Sequence, residues 1–302
     1  MLSLMRLAFF LCLSLYAQPK PCASPAHRAA DFLLGDWEVR DGKDRLMGWS
    51  RFEAHAAGCA IVEHWRGVRG GEGTGLFFYD TAAKLWKREY VGPGFIERNA
   101  KAAIEGQALA FTATADKAQM KYRYDKDAQG PFLIDQESTD GGQTWSPPER
   151  RSMRPLSEPK NFDPKNEIAP QCSEPEFRQF DFWLGSWSVT AKAKLAGSNR
   201  ILAHSKGCVL LEFWKPAQGP TGVSLNFYDP LDKQWKQYWV SPGGNLSLSG
   251  SFESGAMTLT QPGNRIVWRP KPDGTVTQYW DSSTDNGKTW KPTFNGLYQR
   301  QN

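Results

Sequence analysis

Two glutamates each interrupt an apolar run: Glu63 in Cys59-Ala-Ile-Val-Glu-His-Trp65, and Glu212 in Cys208-Val-Leu-Leu-Glu-Phe-Trp214. Side chains alternate between the faces of an extended strand, so Ile61, Glu63 and Trp65 share a face, as do Leu210, Glu212 and Trp214. If that face lines an interior, each carboxylate sits beside an indole, where loss of water raises its pKa. Such a group acts as a ligand anchor or as a general acid/base. The plainer alternatives are an ion pair with a nearby Arg or Lys, or a side chain turned to solvent. The same alternation groups Trp86 with Arg88 and Tyr90, and Trp235 with Gln237 and Trp239. Aromatic area with one orienting polar group suits a small-molecule pocket, and equally the filling of a small core. The candidate ligand contacts are therefore Glu212, Trp214, Asn226, Gln237 and Trp239, and separately Glu63, Trp65, Arg88 and Tyr90. In an enzyme, Glu212 and Glu63 would be the catalytic acids.

Other chemistries find no support. The histidines are His27, His55, His64 and His204, no HxxxH or CxxC spacing exists, and neither a metal nor a cofactor is expected. His64 stands where the second half has Phe213, which reads as a packed aromatic. No Gly-x-Ser-x-Gly or Cys-His pairing offers a nucleophile. Ser138-Thr-Asp-Gly-Gly-Gln-Thr-Trp145 and Ser283-Thr-Asp-Asn-Gly-Lys-Thr-Trp290 resemble the Asp-box of sialidases and propellers. Propellers repeat that block at every blade, whereas these two stand 145 positions apart. They read as hairpin turns capped by Asp140 and Asp285, with Trp145 and Trp290 packed beneath.

The segments that must position these groups occur twice. Phe32-Leu-Leu-Gly-Asp-Trp-Glu-Val39 returns as Phe182-Trp-Leu-Gly-Ser-Trp-Ser-Val189, 150 positions later, and further landmarks follow in order to the end of each half. The 302 residues divide into a leader (1–17), a first unit (18–155), a Pro- and charge-rich linker (156–171) and a second unit (172–302). The leader has Arg6, an apolar stretch from Leu7 to Leu15 and the small Ala17. It reads as a signal peptide cleaved after Ala17, too short to span a bilayer, which sends the chain to the periplasm or the exterior. No other stretch suggests stable membrane insertion. The 37 basic and 32 acidic residues, net +5, are scattered without the basic stripe that nucleic-acid binding needs. Two cysteines fall in each unit, and a unit that folds alone favours Cys22 with Cys59 and Cys172 with Cys208.

Each unit reads as eight to ten short strands cut by Gly, Pro, Asp and Asn turns, with no helix of useful length. Closely spaced antiparallel strands without crossover helices form a sandwich or a closed up-and-down barrel. A short turn followed by Gly-x-Trp, here Gly35-Asp36-Trp37 and Gly185-Ser186-Trp187, resembles the opening of lipocalins and other calycins. That resemblance implies two tandem antiparallel up-and-down barrels. In each, the Trp closes one end beneath an Arg of the last strand: Trp37 under Arg154, and Trp187 under Arg300. The chain also resembles uncharacterised secreted bacterial calycin-type proteins, through Phe180-Asp-Phe-Trp-Leu-Gly-Ser-Trp187, Gly207-Cys-Val-Leu-Leu-Glu212, Asn226-Phe-Tyr-Asp229, Trp235-Lys-Gln-Tyr-Trp-Val240 and Ser283 to Trp290. The first unit departs from the pattern at Ala30, Leu33, Phe77, Arg88 and Tyr90.

The resemblance implies a binding protein for a small hydrophobic or amphipathic molecule, held first of all in the second lumen. Arg88 would turn the first lumen toward anions, or close it by pairing with Glu63. Rival readings are an enzyme of the hydratase, cyclase or isomerase type, and an interaction domain whose barrels are filled by their own side chains.

Overall fold

The computed structural model describes residues 20–115, 117–163, 165 and 167–301, so the expected leader lies outside the described residues. The first unit consists of β1 (Gly35–Arg40), β2 (Leu46–His55), β3 (Ala60–Gly67), β4 (Glu72–Asp80), β5 (Leu85–Gly92), β6 (Phe95–Glu105), β7 (Ala108–Ala115), β8 (Ala118–Asp127), β9 (Gly130–Ser138) and β10 (Glu149–Pro155). The second consists of β11 (Gly185–Ala191), β12 (Lys194–His204), β13 (Val209–Pro216), β14 (Gly222–Asp229), β15 (Gln234–Ser241), β16 (Gly244–Glu253), β17 (Ala256–Gln261), β18 (Asn264–Pro270), β19 (Val276–Ser282) and β20 (Lys291–Arg300). Every strand pairs antiparallel with its predecessor, and the last pairs with the first, giving two closed ten-stranded up-and-down barrels in tandem. Lipocalin barrels close with eight strands. Both expected disulfides are present, Cys22 to Cys59 and Cys172 to Cys208, tying each N-terminal segment to the start of β3 or β13. No helix among the described residues is long and apolar enough to cross a membrane.

The Gly-x-Trp opening has a local cause. A single 3-10 turn, Asp31–Leu33 or Asp181–Trp183, precedes each first strand, and Gly35 (φ +133°) and Gly185 (φ +123°) then adopt a backbone that side chains disfavour. This kink turns the indole back so that Trp37 Nε1 donates to the Leu33 carbonyl at 2.7 Å and Trp187 Nε1 to the Trp183 carbonyl at 2.8 Å.

The two halves differ in how the Trp is covered. Arg300 lies directly across from Trp187 in the β11–β20 register, with its guanidinium 4.4 Å from the ring and donating to the Leu184 carbonyl at 3.0 Å. Arg154 does not cover Trp37. The residue across from Trp37 is Pro155, so Arg154 is one position out of phase and points to the opposite face, where it pairs with Asp44 at 2.6 Å.

The described residues form three apolar clusters. One fills each lumen, around Phe77, Trp86 and Phe111 in the first barrel and around Trp183, Trp235 and Trp268 in the second. The third is a seam between barrels, where the outer faces of β3–β5 pack against those of β13–β15. Those strands are therefore apolar on both faces, which explains continuous runs such as Leu76-Phe-Phe78 and Val209-Leu-Leu211. The seam is built from matching positions of the two halves: Val62 with Leu211, Leu76 with Leu225, Phe78 with Phe227 and Val91 with Val240. Its ring contacts are reciprocal, since His64 meets His204 while their counterparts Phe213 and His55 meet each other. Polar contacts fix the register: Arg98 grips Asp229 through two bonds of 2.7 and 2.6 Å, and Thr74 Oγ1 lies 2.8 Å from Ser205 Oγ. The described residues between 156 and 169 form no strand, and they are strapped down. Arg66 holds the Asn161 and Asp163 carbonyls, Phe162 is buried under Arg51, and the Ala169 amide donates to the Lys206 carbonyl.

Candidate functional site

Strand alternation carries Glu63 and Glu212 into the lumens, and both are buried. In the second barrel, Glu212 Oε1 accepts from Asn199 Nδ2 at 2.7 Å, and Oε2 accepts from Ser224 Oγ at 2.5 Å. A neutral relay lies behind Ser224. Asn226 Nδ2 donates to Ser224 Oγ at 2.8 Å, and Gln237 Nε2 donates to Asn226 Oδ1 at 2.8 Å. No cation is among the groups acting on Glu212; burial pushes its carboxyl up to about 7, with Ser224 and Asn199 pulling weakly the other way. The carboxyl borders a cavity of about 230 Å³ walled by Trp214, Trp239, Trp268, Trp280 and Phe294.

Of the residues read from the sequence, Glu212, Trp214, Gln237 and Trp239 border this cavity; Asn226 does not. Asn226 is fully buried behind the wall, where it also donates to the Leu210 carbonyl at 3.0 Å and so positions Ser224. The missed residues are Asn199, Ser224, Leu246 and the inward side chains of β18–β20, including Gln278 and Tyr298. Period-two alternation along the strands from Ile266 and Val276 would have pointed to Trp268, Gln278 and Trp280. Asn199 sits among polar residues and breaks no apolar run.

The first lumen brings Glu63, Trp65, Arg88 and Tyr90 together around a cavity of about 180 Å³. Its chemistry is different. Arg88 Nη1 donates to both oxygens of Glu97, at 2.9 and 2.8 Å, and Arg88 Nη2 lies 3.6 Å from Glu63 Oε2. The guanidinium also sits 4.7 to 5.7 Å from the ring centres of Phe77, Tyr90, Tyr122 and Tyr124. Burial raises both carboxyls while Arg88 pulls them back, and Ser50 Oγ donates to Glu63 at 3.1 Å. The expected pairing of Arg88 with Glu63 is the longer of two ion pairs. With both carboxylates against it, Arg88 is not free to meet an anion. Glu97 is the partner of Arg88 that sequence reasoning missed, along with Ser50, Tyr122 and Tyr124. Glu97 stands just before a bulged stretch of β6, Arg98 to Lys101, which obscures the alternation.

The Asp-box-like turns sit outside the lumens. Asp140 accepts from Ser138, Thr144 and the Gln143 amide, and Asp285 repeats the arrangement with Ser283 and Thr289; these bonds hold both carboxyls low, Asp285 at about 2. Trp145 and Trp290 are half-buried under Lys121 and Arg265. No group of three or more His, Cys, Asp or Glu among the described residues could hold a metal ion.

Fold and lumens together define a tandem meander-barrel protein with a cavity in each lumen. No protein-family model and no curated protein matches the chain. Among solved structures, a protein of unknown function of the DUF3598 family from Nostoc punctiforme is similar over 92% of this chain and 100% of that one, at 10% identity and a TM-score of 0.26. A likeness at that level carries no argument about fold or function.

Proposed function

We propose that the protein binds a small apolar or amphipathic molecule in the lumen of its second barrel. The observation that carries this reading is Glu212: a buried carboxylate, oriented by Asn199 and Ser224, at the edge of a cavity walled largely by aromatic rings. Concave aromatic walls with a few convergent polar groups are the usual makings of a ligand site. The volume sets the scale. About 230 Å³ falls below the range of roughly 300–1,000 Å³ common for drug-sized ligands, so the occupant is compact rather than a long acyl chain. Two disulfides and the leader-like first 17 residues support a site of action outside the cytoplasm.

The test is mass spectrometry of molecules that co-purify from the native host, followed by a fluorescence titration with terpenoids, aromatic acids and amines. Entry of a ligand among Trp214, Trp239, Trp268 and Trp280 should shift or quench emission. No response at micromolar concentration, with nothing co-purified, would leave the interaction-domain reading.

A second reading follows from the same glutamate. A carboxyl near 7 is matched to general acid/base work at neutral pH, which supports an enzyme of the hydratase or isomerase type. Glu212→Gln separates the two: an enzyme loses turnover while retaining its ligand, whereas a carrier has no turnover to lose.

A further inference from the structure

The first lumen already contains a bound cation, and it is part of the chain. The Arg88 guanidinium lies between two carboxylates and within 4.7 to 5.7 Å of four aromatic ring centres, the surroundings that a receptor builds for an organic cation. Strand register superimposes this arrangement on the second lumen. Glu212 stands where Glu63 does and Gln237 where Arg88 does. Trp239 takes the place of Tyr90, and Trp268 that of Tyr124. Phe77 and Tyr122 give way to Asn226 and Ile266, so the acceptor and two of the four rings are retained while the cation is lost. Gln237 ends in a neutral amide already committed to Asn226, and Leu246 occupies the place of Glu97 across from the strand-five aromatic.

We propose that the second lumen takes an organic cation, a compact aromatic or alkyl ammonium or amidinium, with its charged head against Glu212 in the space that the Arg88 guanidinium fills in the first lumen. The proposal rests on the binding reading above and names its ligand class. Each oxygen of Glu212 accepts one hydrogen bond from a neutral donor and keeps a second lone pair for a ligand N–H. Among the described residues no Lys or Arg borders the cavity, so a cation meets no repulsion there and is the species that neutralises the buried carboxylate. An anion would face Glu212 directly. A neutral ligand would leave the ionised carboxylate uncompensated, or need it protonated.

The experiment is a calorimetric titration of the full mature chain with 2-phenylethylammonium, 2-phenylethanol and 3-phenylpropionate, which share a ring and differ in the charge of the head. The ammonium should bind at least about tenfold more tightly than the alcohol, and the carboxylate should not bind. Glu212→Gln should bring ammonium and alcohol to similar affinity. Gln237→Arg, which installs the guanidinium of the first lumen, should abolish ammonium binding. If the alcohol or the carboxylate binds the unaltered protein as tightly as the ammonium, the cation assignment is wrong while a ligand-binding lumen stands. If none of the three binds, the lumen-binding reading itself falls. The three-ligand ranking decides even where a variant fails to fold.

Discussion

The two lumens place a glutamate at the same point of the same strand and treat its charge in opposite ways. In the first, Arg88 and Glu97 enclose it in an ionic cluster; in the second, Asn199 and Ser224 hold it with neutral donors alone. Two positions decide between these outcomes: 88 or 237 on the fifth strand, and 97 or 246 on the sixth. The barrel architecture is indifferent to the choice, because both arrangements leave ring closure and strand register intact. What changes is where the neutralising partner comes from. The first lumen supplies its own, and the second leaves that place open.

The largest effect expected from this contrast follows Arg88→Met, which strands Glu63 and Glu97 in the interior and should cost about 3–5 kcal/mol in urea denaturation. Gln237→Met removes only a neutral amide and should cost about 1–3 kcal/mol. Equal losses would break the distinction between an ionic and a neutral lumen.

Titration with pH separates lumen from seam. The Glu212 carboxyl rises from about 4.5 in an unfolded chain to about 7, so the folded state holds its proton more tightly. Its stabilising contribution is complete below pH 4.5 and is lost as pH rises through about 7, a change of roughly 3 kcal/mol. Glu212→Gln should flatten that alkaline slope. At the seam the sign is reversed. Burial, followed by neighbouring positive groups, lowers His64 to about 3 and His204 to about 4, so below pH 6.5 the unfolded chain takes up protons that the folded chain refuses. Stability should fall from pH 6.5 toward 4, and His64→Phe, which installs the aromatic found at Phe213, should reduce that acid slope in pH-dependent melts. An unchanged acid limb would remove the seam histidines from the account.

The smallest effects compare the two barrel ends. Arg300→Ala loses a ring contact and a carbonyl bond and should cost about 1–2 kcal/mol. Arg154→Ala breaks only an exposed ion pair and should cost less than about 1 kcal/mol. A larger loss at Arg154 would restore a latch in the first half.

Much of this was legible in the residues. Alternation grouped Glu63 with Trp65, Arg88 with Tyr90, Glu212 with Trp214 and Gln237 with Trp239, because side chains of a strand keep period two, but it left open whether those faces point inward. The eight to ten short strands read in each unit are ten in the structure, β1–β10 and β11–β20. The Arg154 error came from aligning a residue type across copies, where one step of register reverses the face a side chain points to. Glu97 was hidden by a bulge and Asn199 by polar neighbours, so neither stood out as a break in an apolar pattern. The seam was harder still. A strand buried on both faces looks like any apolar run, and nothing in one copy says that its outer partner is the other copy.

That seam has a consequence for ancestry and assembly. Its reciprocal pairs, His64 with His204 and Phe213 with His55, are those of a two-fold interface, in which the same patch serves both partners. A chain with one such barrel would cover Val209, Leu211, Leu225 and Phe227 by docking onto its own copy. The second unit alone, residues 172–302, should therefore sediment as a homodimer, and a stable monomer would contradict this. Joining two copies through a short tether turns that dimerisation into an intramolecular event that no longer depends on protein concentration. It also frees the halves from identity. A homodimer must carry every lumen substitution twice, whereas the fused chain could fill one barrel with its own arginine and keep the other vacant.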